Sequence, residues 1–429
     1  MSGRSWEAQA VVIGSGLAGL AAACRLLQER LSVLVLGPLP GNLALASGSL
    51  DFLGVSPADP GAAVANPWPA LAGLRAGEPR HPYTKLTDAE LGAAWQAFAR
   101  VLAQAGLPHR GGGQANLLLP TSWGAVRPSY LLPEAMHAAA EGLRQQAPAL
   151  LVDFAGMREF NARLLAERLR PRWPGLESAR VEPPLAALAV SQAAQNQLLA
   201  EELDSPACRR SLARALRPRL GRAQLVGLPA VLGLWRHGRA LREMQELLGV
   251  PVCEIPTLPP SMPGLRLSAA LQQWIAQAGG TLLPQRAVGF RGQGGRVSEV
   301  LIRLDGDEHP VRAQAFVLAA GRFLGSGLEA RLNGVYEPLF GLPVSQPRPR
   351  SQWHREDFWD QRGQPLNRAG LETDEQFRPL GPAGGPAYDN LFAAGGILAH
   401  QDWVRQMCGA GLSIATGWAA AARLIRYLG

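Results

Sequence analysis

The chain has 429 residues, 47% of them hydrophobic, which is enough for two or three domains with a globular core. Its formal net charge is +8, but the basic residues are scattered and do not form Lys/Arg blocks with interleaved aromatic side chains, which argues against nucleic-acid binding. The four cysteines, Cys24, Cys208, Cys253 and Cys408, make no C-x-x-C pair. That spacing argues against an iron–sulphur cluster or a structural zinc ion, so we predict no metal site.

The sequence shows neither a targeting signal nor a membrane-spanning signal, and this constrains the expected location of the chain. The first predicted strand starts almost at the N-terminus, no secretory leader is evident, and no uncharged apolar run reaches membrane-spanning length. We therefore expect a cytoplasmic chain whose membrane contact is indirect, either peripheral or through another subunit.

Residues 11–20 carry the most specific local pattern, a buried strand that runs into a Gly-x-Gly-x-x-Gly turn and an apolar helix. In this pattern Gly14 allows the tight turn, Gly16 lets a phosphate approach the backbone, and Gly19 lets the helix pack closely on the strand. The helix N-terminus then presents unpaired N–H groups to the anion. A second strand at 31–36 completes a βαβ unit. We predict a nucleotide-type cofactor that contacts Gly14, Ser15, Gly16, Leu17, Ala18 and Gly19.

The middle of the chain predicts a second α/β unit. A Pro/Gly/Ala-rich loop extends to about residue 77, a helix follows over 88–104, and strand and turn are predicted over 122–133. From residue 148 strands and helices alternate again, which is typical of a separate compact unit. The predicted strands are 150–154, 223–231 and 250–255, and the predicted helices are 160–170, 207–216 and 239–248.

The C-terminal part returns to the first fold. A helix at 265–278, a strand at 279–283 and an antiparallel pair at 297–304 and 311–317 lead into a buried strand that ends in Ala319-Ala320-Gly321. Such a strand passes under a dinucleotide in flavoproteins with two dinucleotide-binding domains, and this order of elements narrows the cofactor to a flavin. Ala320 and Gly321 therefore join the predicted cofactor contacts.

Two Gly-rich segments near the C-terminus also favour a flavin. Residues 390–396 predict a strand and a turn with little side-chain bulk, and residues 408–417 lead into a final apolar helix. Such segments let the backbone and a helix N-terminus lie against the pyrimidine edge of the isoalloxazine, where the helix dipole favours the negative charge of reduced flavin. The predicted contacts here are Gly395, Gly396, Gly409, Gly411, Leu412 and Ser413.

These elements predict an α/β fold of the Rossmann-type, two-dinucleotide-binding-domain flavoprotein class with an inserted smaller α/β domain. We expect the flavin-binding domain to comprise residues 1–145 and 259–429, and the inserted domain to comprise residues 146–258.

Several short motifs carry a resemblance to one family. They are Gly-Ser-Gly-Leu-Ala-Gly-Leu at 14–20, Ser-Gly-Ser-Leu-Asp at 47–51, His-Pro-Tyr at 81–83, Leu-Pro-Pro-Ser with Gly-x-Arg-Leu at 258–267, and Thr-Asp-Glu with Arg-Pro at 373–379. With these motifs in this order, the chain resembles the B subunit of the anaerobic glycerol-3-phosphate dehydrogenase of bacteria over nearly its whole length. The likeness is weakest around residues 135–225.

The resemblance implies a flavin subunit that works beside a larger flavoprotein subunit and an iron–sulphur subunit at the inner face of the cytoplasmic membrane. Such a complex oxidises glycerol 3-phosphate to dihydroxyacetone phosphate and sends electrons to the quinone pool. The resemblance also implies FMN. Leu36-Gly37 support FMN because a dinucleotide site usually carries Asp or Glu at this place for the adenosine ribose. FAD is the alternative cofactor.

Oxidation of glycerol 3-phosphate needs a base for the hydroxyl proton and cations for the phosphate. Arg266 and Arg378 lie in the family-like motifs, and Arg322 directly follows the Ala-Ala-Gly strand. For each of them the alternative is a structural salt bridge. His81 is the predicted base because of its motif, with a purely structural turn as the alternative, and His400 is a second candidate.

The 47–51 motif supplies the remaining predicted contacts. Ser47, Gly48 and Ser49 are expected to lie beside the flavin, where Ser49 and Asp51 would orient the loop. A plain turn or helix-cap role is the alternative.

Two other functions stay open at this point. The chain could carry flavin as an electron-transfer or structural subunit and leave the substrate chemistry to its larger partner. It could also be an unrelated flavin oxidoreductase that uses NAD(P)H, although a second intact Gly-x-Gly-x-x-Gly unit for a nicotinamide cofactor is missing.

Overall fold

The computed structural model describes residues 5–56, 59–183 and 192–429. The chain forms two compact units. The first unit combines Met1–Asn42, Asp51–Val101 and Leu271–Gly429, and the second combines Leu43–Leu50 and Leu102–Ala270.

The regular elements of the described residues are as follows. The strands are β1 (Trp6–Ile13), β2 (Val33–Leu36), β3 (Val55–Ser56), β4 (Asp59–Ala63), β5 (His109–Gly111), β6 (Leu117–Pro120), β7 (Val126–Ser129), β8 (Leu131–Pro133), β9 (Ala149–Phe154), β10 (Leu176–Val181), β11 (Leu225–Pro229), β12 (Val252–Ile255), β13 (Thr281–Leu283), β14 (Ala287–Gln293), β15 (Arg296–Leu304), β16 (Asp307–Leu318), β17 (Glu329–Arg331), β18 (Gly334–Tyr336), β19 (Val344–Ser345), β20 (Gly370–Leu371) and β21 (Leu391–Ala393). The helices are α1 (Leu17–Gln28), α2 (Pro67–Gly77), α3 (Asp88–Gln104), α4 (Glu134–Gln145), α5 (Ala162–Leu169), α6 (Gln192–Glu202), α7 (Pro206–Leu216), α8 (His237–Leu248), α9 (Met262–Gln277), α10 (Trp403–Gln406) and α11 (Gly409–Leu428).

The first unit is built on a mixed sheet in the order β13-β2-β1-β16-β15-β14, with β21 also paired to β16. Strands β13, β2, β1, β16 and β21 run parallel, and β14, β15 and β16 form an antiparallel meander. The register pairs Ile13 with both Leu36 and Leu318, and it pairs Leu318 with Ala393. The carboxyl ends of four parallel strands therefore lie side by side. Ligands of open α/β sheets bind at such an edge.

Helices α1 and α11 pack against each other in the first unit. Small residues allow this approach, because a Cβ on Gly417 would lie 2.3 Å from the carbonyl oxygen of Ala18. The other end of α11 is tied to α3 by an ion pair of 2.6 Å between Arg423 and Glu90. The middle of α11, at Gly417, therefore lies against the start of α1, at Ala18.

The second unit has its own parallel sheet, in the order β10-β9-β11-β12. Its strands β9, β11 and β12 are fully buried, as expected for a parallel sheet covered by helices, whereas the edge strand β10 is partly exposed. The core also contains Trp173, whose indole N–H donates to the carbonyl oxygen of Ala147 at 2.7 Å. The alternating elements predicted for this part of the chain are present.

The boundaries of the units differ from the predicted domain boundaries. The second unit begins near residue 102 and not at 146, because α4 packs on β6 and β12. It extends to residue 270 and not only to 258, because the first turns of α9 hold Arg266, which is bonded to Glu254 of β12. It also includes residues 43–50 through a backbone bridge between Leu50 and Leu131.

Among the described residues, no helix combines the length and the apolarity that a membrane crossing requires.

Candidate functional site

The turn between β1 and α1 has the shape of a phosphate-binding glycine loop. Gly14 has a φ of +123°, and a Cβ there would lie 2.2 Å from the carbonyl oxygen of Ala319. A Cβ on Gly19 would lie 1.8 Å from the carbonyl oxygen of Gly14, so α1 packs directly on the end of β1. Around Gly16, in contrast, no atom beyond its chain neighbours lies within 4 Å of a Cβ position. The fold thus requires two of the glycines, and the third leaves room for a ligand.

The N-terminus of α1 is suited to an anion. Gly16 caps the helix without a side-chain hydrogen bond, and the first turn contains no acidic residue. The N–H groups of Leu17, Ala18 and Gly19 have no acceptor within the helix, since these are the first helical positions. Together with the helix dipole they form a site that matches the phosphate end of a flavin cofactor.

Ser15 fixes the loop to the segment after β2. Its side chain is buried, and its Oγ donates to the carbonyl oxygen of Pro38 at 2.6 Å. A Cβ on Gly37, where φ is +146°, would lie 2.9 Å from that Oγ. The Ser15 hydroxyl proton is therefore used inside the protein, and the residue shapes the glycine loop.

The segments after β16 and β21 form the other walls of the site. Gly321 has a φ of +73° and follows the strand end that touches Gly14. Gly395 has a φ of +79°, and a Cβ there would lie 2.5 Å from the Cβ of Ala18. The Gly395 N–H donates to Oγ1 of Thr416 in α11 at 2.8 Å. The structure thus brings three of the predicted segments together around the start of α1.

The predicted contacts at the start of α11 have protein partners. The Gly411 N–H donates to the carbonyl oxygen of Asp51 at 2.7 Å, and a Cβ on Gly411 would lie 2.5 Å from Oη of Tyr83. A Cβ on Gly409 would lie 2.9 Å from the ring of Trp403. Close packing explains why both positions are occupied by glycine. The neighbouring residues Leu412 and Ser413 lie beside Thr416 on the turn of α11 that supports Gly395.

Ser47, Gly48 and Ser49 belong to the second unit. The hydroxyl groups of Ser47 and Ser49 are 2.8 Å apart and hydrogen-bond to each other. Gly48 has a φ of +81°, and a Cβ there would lie 2.6 Å from Cβ of Pro263. Its carbonyl oxygen is 3.1 Å from Nε2 of His109. These contacts explain the motif as a tight turn of the second unit, and its contact with flavin stays a prediction.

His81 is completely buried and caps a short 3₁₀ turn. Its Nδ1 accepts the N–H of Tyr83 at 3.1 Å, so the lone pair that a base would use is occupied. Burial lowers the pKa of His81 to about 3, and the charge of Arg368 adds to this effect. The geometry therefore favours the structural alternative for His81.

Arg266 lies in the second unit and is almost fully buried. Its guanidinium makes a two-point ion pair with Glu254, with distances of 2.6 and 3.0 Å, and Nε donates to the carbonyl oxygen of Gly233 at 2.8 Å. Because the charge is neutralised inside the core, these contacts favour the salt-bridge alternative over binding of a substrate phosphate.

Arg378 is also paired. Its Nε lies 2.8 Å from Oδ2 of Asp374, and a second carboxylate, that of Asp389, is 3.6 Å away. Asp374 also accepts the backbone N–H of Arg378, so the pair closes a local turn.

Arg322 is the predicted cation that lies next to the candidate cofactor site. Its Cγ is 3.8 Å from a Cβ position on Gly396. Its terminal nitrogens donate to the backbone carbonyls of Leu366 and Asn367, while its buried Nε has no hydrogen-bond partner in the described part of the chain. Burial lowers the pKa of Arg322, and the charge of Asp402 partly offsets this. Among the residues 5–56, 59–183 and 192–429, no Asp or Glu oxygen lies within salt-bridge distance of it, so it keeps a charge available to an anion.

The structure adds a carboxylate that sequence reasoning missed. Glu372 lies 2.6 Å from Nε2 of His400 and 3.6 Å from a guanidinium nitrogen of Arg80. The two partners of Glu372 are distant in the sequence, and no local motif marks the residue. Only the pairing of the backbone around β20 with the segment after Gly396 reveals it.

Comparison with known proteins settles the family. The family model of the FAD binding domain matches residues 9–412 of the chain. A protein named as the B subunit of anaerobic glycerol-3-phosphate dehydrogenase, from Yersinia pseudotuberculosis, is 32% identical over 423 residues, which cover 97% of each chain. The chain belongs to the family of this B subunit and contains the FAD binding domain. A relative of the same name from Vibrio cholerae is 30% identical over 432 residues, covering 96% of this chain and 95% of the relative.

Among solved structures, a 3-ketosteroid delta1-dehydrogenase from Sterolibacterium denitrificans aligns with 98% of this chain and 100% of its own length, at 13% identity and a TM-score of 0.45.

The predicted flavoprotein fold is confirmed by the family model, and the chain is a flavin-dependent oxidoreductase of the FAD-binding class. The family supports FAD, which was the alternative, and does not confirm FMN. The open space at Gly16 and the free N–H groups of α1 fit the phosphate end of either flavin.

Proposed function

We propose that this chain is the flavin subunit of an anaerobic, quinone-linked glycerol-3-phosphate dehydrogenase. In this role it oxidises glycerol 3-phosphate to dihydroxyacetone phosphate and passes electrons through an iron–sulphur subunit to the quinone pool. The observation that carries the proposal is the likeness, at 29–32% identity over 96–97% of the chain, to proteins named as the B subunit of that dehydrogenase.

The residues around the glycine loop have defined parts in this proposal. The first-turn N–H groups of α1 hold the flavin phosphate, and the open space at Gly16 admits it. Bound flavin supplies the two-electron acceptor for the substrate. Arg322 binds the anionic end of the substrate or cofactor, because it is the predicted cation next to Gly396 that lacks a carboxylate partner among the described residues.

The proposed partners are a larger flavoprotein subunit and an iron–sulphur subunit, and the proposed location is the inner face of the cell membrane. The chain would reach the membrane through its complex. Both statements rest on the names of the relatives, which describe one subunit of several, and on the resemblance of the motifs.

Anaerobic reduction by glycerol 3-phosphate tests the proposal. The chain is purified with its cofactor, and the visible absorbance of the flavin is followed after addition of substrate, alone and with the two partner subunits. Bleaching of the isolated chain by glycerol 3-phosphate is the expected result. Absence of bleaching both alone and in the complex would refute the proposal, and fast bleaching by NADH would favour a nicotinamide-dependent oxidoreductase.

One observation favours a second candidate, a flavin subunit that transfers electrons while its larger partner oxidises the substrate. Three of the predicted catalytic residues, His81, Arg266 and Arg378, are engaged by protein groups. The same experiment separates the two candidates. An isolated chain that stays oxidised, but bleaches once the larger subunit is added, would establish the electron-transfer role.

A further inference from the structure

His400 and Glu372 form a hydrogen-bonded pair in the first unit, close in sequence to the Gly395-Gly396 turn. Nε2 of His400 lies 2.6 Å from Oε1 of Glu372. His400 has a φ of +64°, a left-handed conformation that histidine adopts more readily than most side chains. Its side chain is only 17% exposed, so the imidazole is mostly enclosed but still reaches solvent.

The backbone holds this pair rigidly. The N–H of Ala399 donates to the carbonyl oxygen of Leu371 at 2.9 Å, and the N–H of His400 donates to that of Arg368 at 2.9 Å. A Cβ on Gly370 would lie 2.5 Å from the carbonyl oxygen of Ile397, so the two segments touch along their main chains. The position of the pair is therefore fixed relative to Gly396, four residues before His400.

The tautomer of His400 follows from its partner. A carboxylate only accepts, so Nε2 of the neutral imidazole carries the proton and Nδ1 carries the free lone pair. Within the described ranges, no protein group hydrogen-bonds to this Nδ1. His81, His109 and His237 differ, since each uses Nδ1 for a backbone contact. Of these four imidazoles, only that of His400 has an Nδ1 free to accept a proton.

The surroundings of His400 keep its imidazole neutral, so that it can accept a proton. Burial lowers its pKa, the charges of Arg80 and Arg368 act in the same direction, and Glu372 opposes them. Burial raises the pKa of Glu372, but the hydrogen bond from His400 and nearby positive charge outweigh this, so the carboxylate is ionised near neutral pH. His81 is also close enough to His400 for the two imidazoles to interact electrostatically. A neutral imidazole beside an ionised carboxylate has the arrangement of an oriented general base.

Resting on the proposed function, we propose that His400, oriented by Glu372, accepts the hydroxyl proton when a phosphorylated secondary alcohol is oxidised. The O–H bond breaks and its proton goes to Nδ1 of His400. The C–H bond breaks, its hydrogen leaves with the electron pair to oxidised flavin, and the C–O bond becomes a carbonyl. Glu372 stabilises the imidazolium until the proton passes to solvent, and Arg80, whose side chain is 74% exposed, places a positive charge next to the pair.

His400→Asn is the first test, made in the flavin-loaded protein together with its partner subunits. Asn tolerates the left-handed conformation, so we expect the flavin content and the unfolding midpoint to stay as in the wild type. The rate of flavin reduction by glycerol 3-phosphate should fall about 10²- to 10⁴-fold, and the acid limb of its pH profile should disappear. The matched control is His354→Asn, at an exposed histidine of the same unit, which should leave the rate unchanged.

Nitrogen NMR of labelled histidine provides a readout that does not depend on turnover. We expect His400 to carry its proton on Nε2 and to have a pKa below that of an exposed histidine. Glu372→Gln should lower this pKa further, since the carboxylate that raises it is gone. Added imidazole should partly restore flavin reduction in His400→Gly.

The outcomes separate the inference from the proposed function. If His400→Asn is reduced at the wild-type rate with an unchanged acid limb, or if the proton resides on Nδ1, the role of His400 is refuted while the proposed function stands. If the wild-type complex is not reduced by glycerol 3-phosphate at all, the proposed function fails, and the role of His400 fails with it.

Discussion

Gly395 and Ala18 approach so closely that a Cβ on the glycine would lie 2.5 Å from the Cβ of the alanine. This contact joins the turn after β21 to the first turn of α1, and so connects the C-terminal segment with the N-terminal glycine loop. Gly395 also has a φ of +79°, which a larger residue adopts only with strain.

Gly395→Ala should therefore destabilise the protein by about 1–3 kcal/mol and weaken flavin retention, because either α1 or the turn must move. The matched control for stability is Gly396→Ala, where the new Cβ meets Arg322 at an ordinary 3.8 Å. Urea unfolding and the ratio of flavin to protein absorbance measure both effects. Equal stability of the two variants would contradict the close contact.

Gly16→Val tests the phosphate end of the site. The position has open space around it, so the variant should fold with an unchanged unfolding midpoint. The new side chain occupies the space that a phosphate needs, and flavin should be lost on purification. Gly19→Ala is the contrasting variant, since its Cβ would lie 1.8 Å from the Gly14 carbonyl oxygen and should destabilise the fold itself. A folded Gly16→Val protein that keeps its flavin would argue against the site.

Arg266→Met tests whether this arginine is structural. It leaves the carboxylate of Glu254 buried without its partner, which typically costs about 3–5 kcal/mol. Flavin retention and substrate affinity should stay unchanged in the protein that remains folded. The control is Arg303→Met, which breaks an exposed pair with Glu308 and should cost less than about 1 kcal/mol. Weakened substrate binding without a loss of stability would restore Arg266 as a phosphate ligand.

His81 predicts a pH dependence of stability. Its pKa in the folded protein, about 3, lies below the value of 6.5 expected for an exposed histidine, so the unfolded chain binds the proton first. The stabilisation is complete above pH 6.5 and is lost as the pH falls from 6.5 towards 3, at about 1.4 kcal/mol per pH unit.

Unfolding measured at several pH values in this range checks the prediction for His81. His81→Asn keeps a cap acceptor but does not titrate, so its stability should fall less steeply with acid than that of the wild type. His354→Asn, at an exposed position, should keep the wild-type slope. Parallel curves for the wild type and His81→Asn would contradict the assigned burial.

The sequence predicted helices and strands well where a periodic pattern of neighbouring residues determines them. Helix α3 spans Asp88–Gln104 as predicted, and the strand that ends before Ala319 lies beside β1 as a flavoprotein requires. Gly19 has the role that the motif assigns to it, because it depends on a contact with Gly14 within one βαβ unit. Gly14 forms the expected tight turn, but its close contact is with Ala319, which the motif does not show. The order of these elements also predicted a flavoprotein, which the family model confirms, but it did not predict FAD over FMN.

The chemistry of single polar residues was harder to predict, because their partners are distant in the chain. Arg266 in α9 and Glu254 in β12 are 12 residues apart on different elements, and only the fold brings their side chains together. Arg322 is held by the backbone of residues 366 and 367, and Glu372 meets His400 across 28 residues. A motif shows that such a side chain has a role, but packing decides whether that role is structural or catalytic.

A flavin titration of the purified chain tests the central claim most directly. Stripped, folded protein is titrated with FAD and with FMN while flavin fluorescence is followed, and the cofactor released from freshly purified protein is identified by mass. A flavin site at the glycine loop predicts stoichiometric binding of a flavin, with FAD as the cofactor that the family supports, and loss of that binding in Gly16→Val. Folded protein that is colourless and binds neither flavin would contradict it.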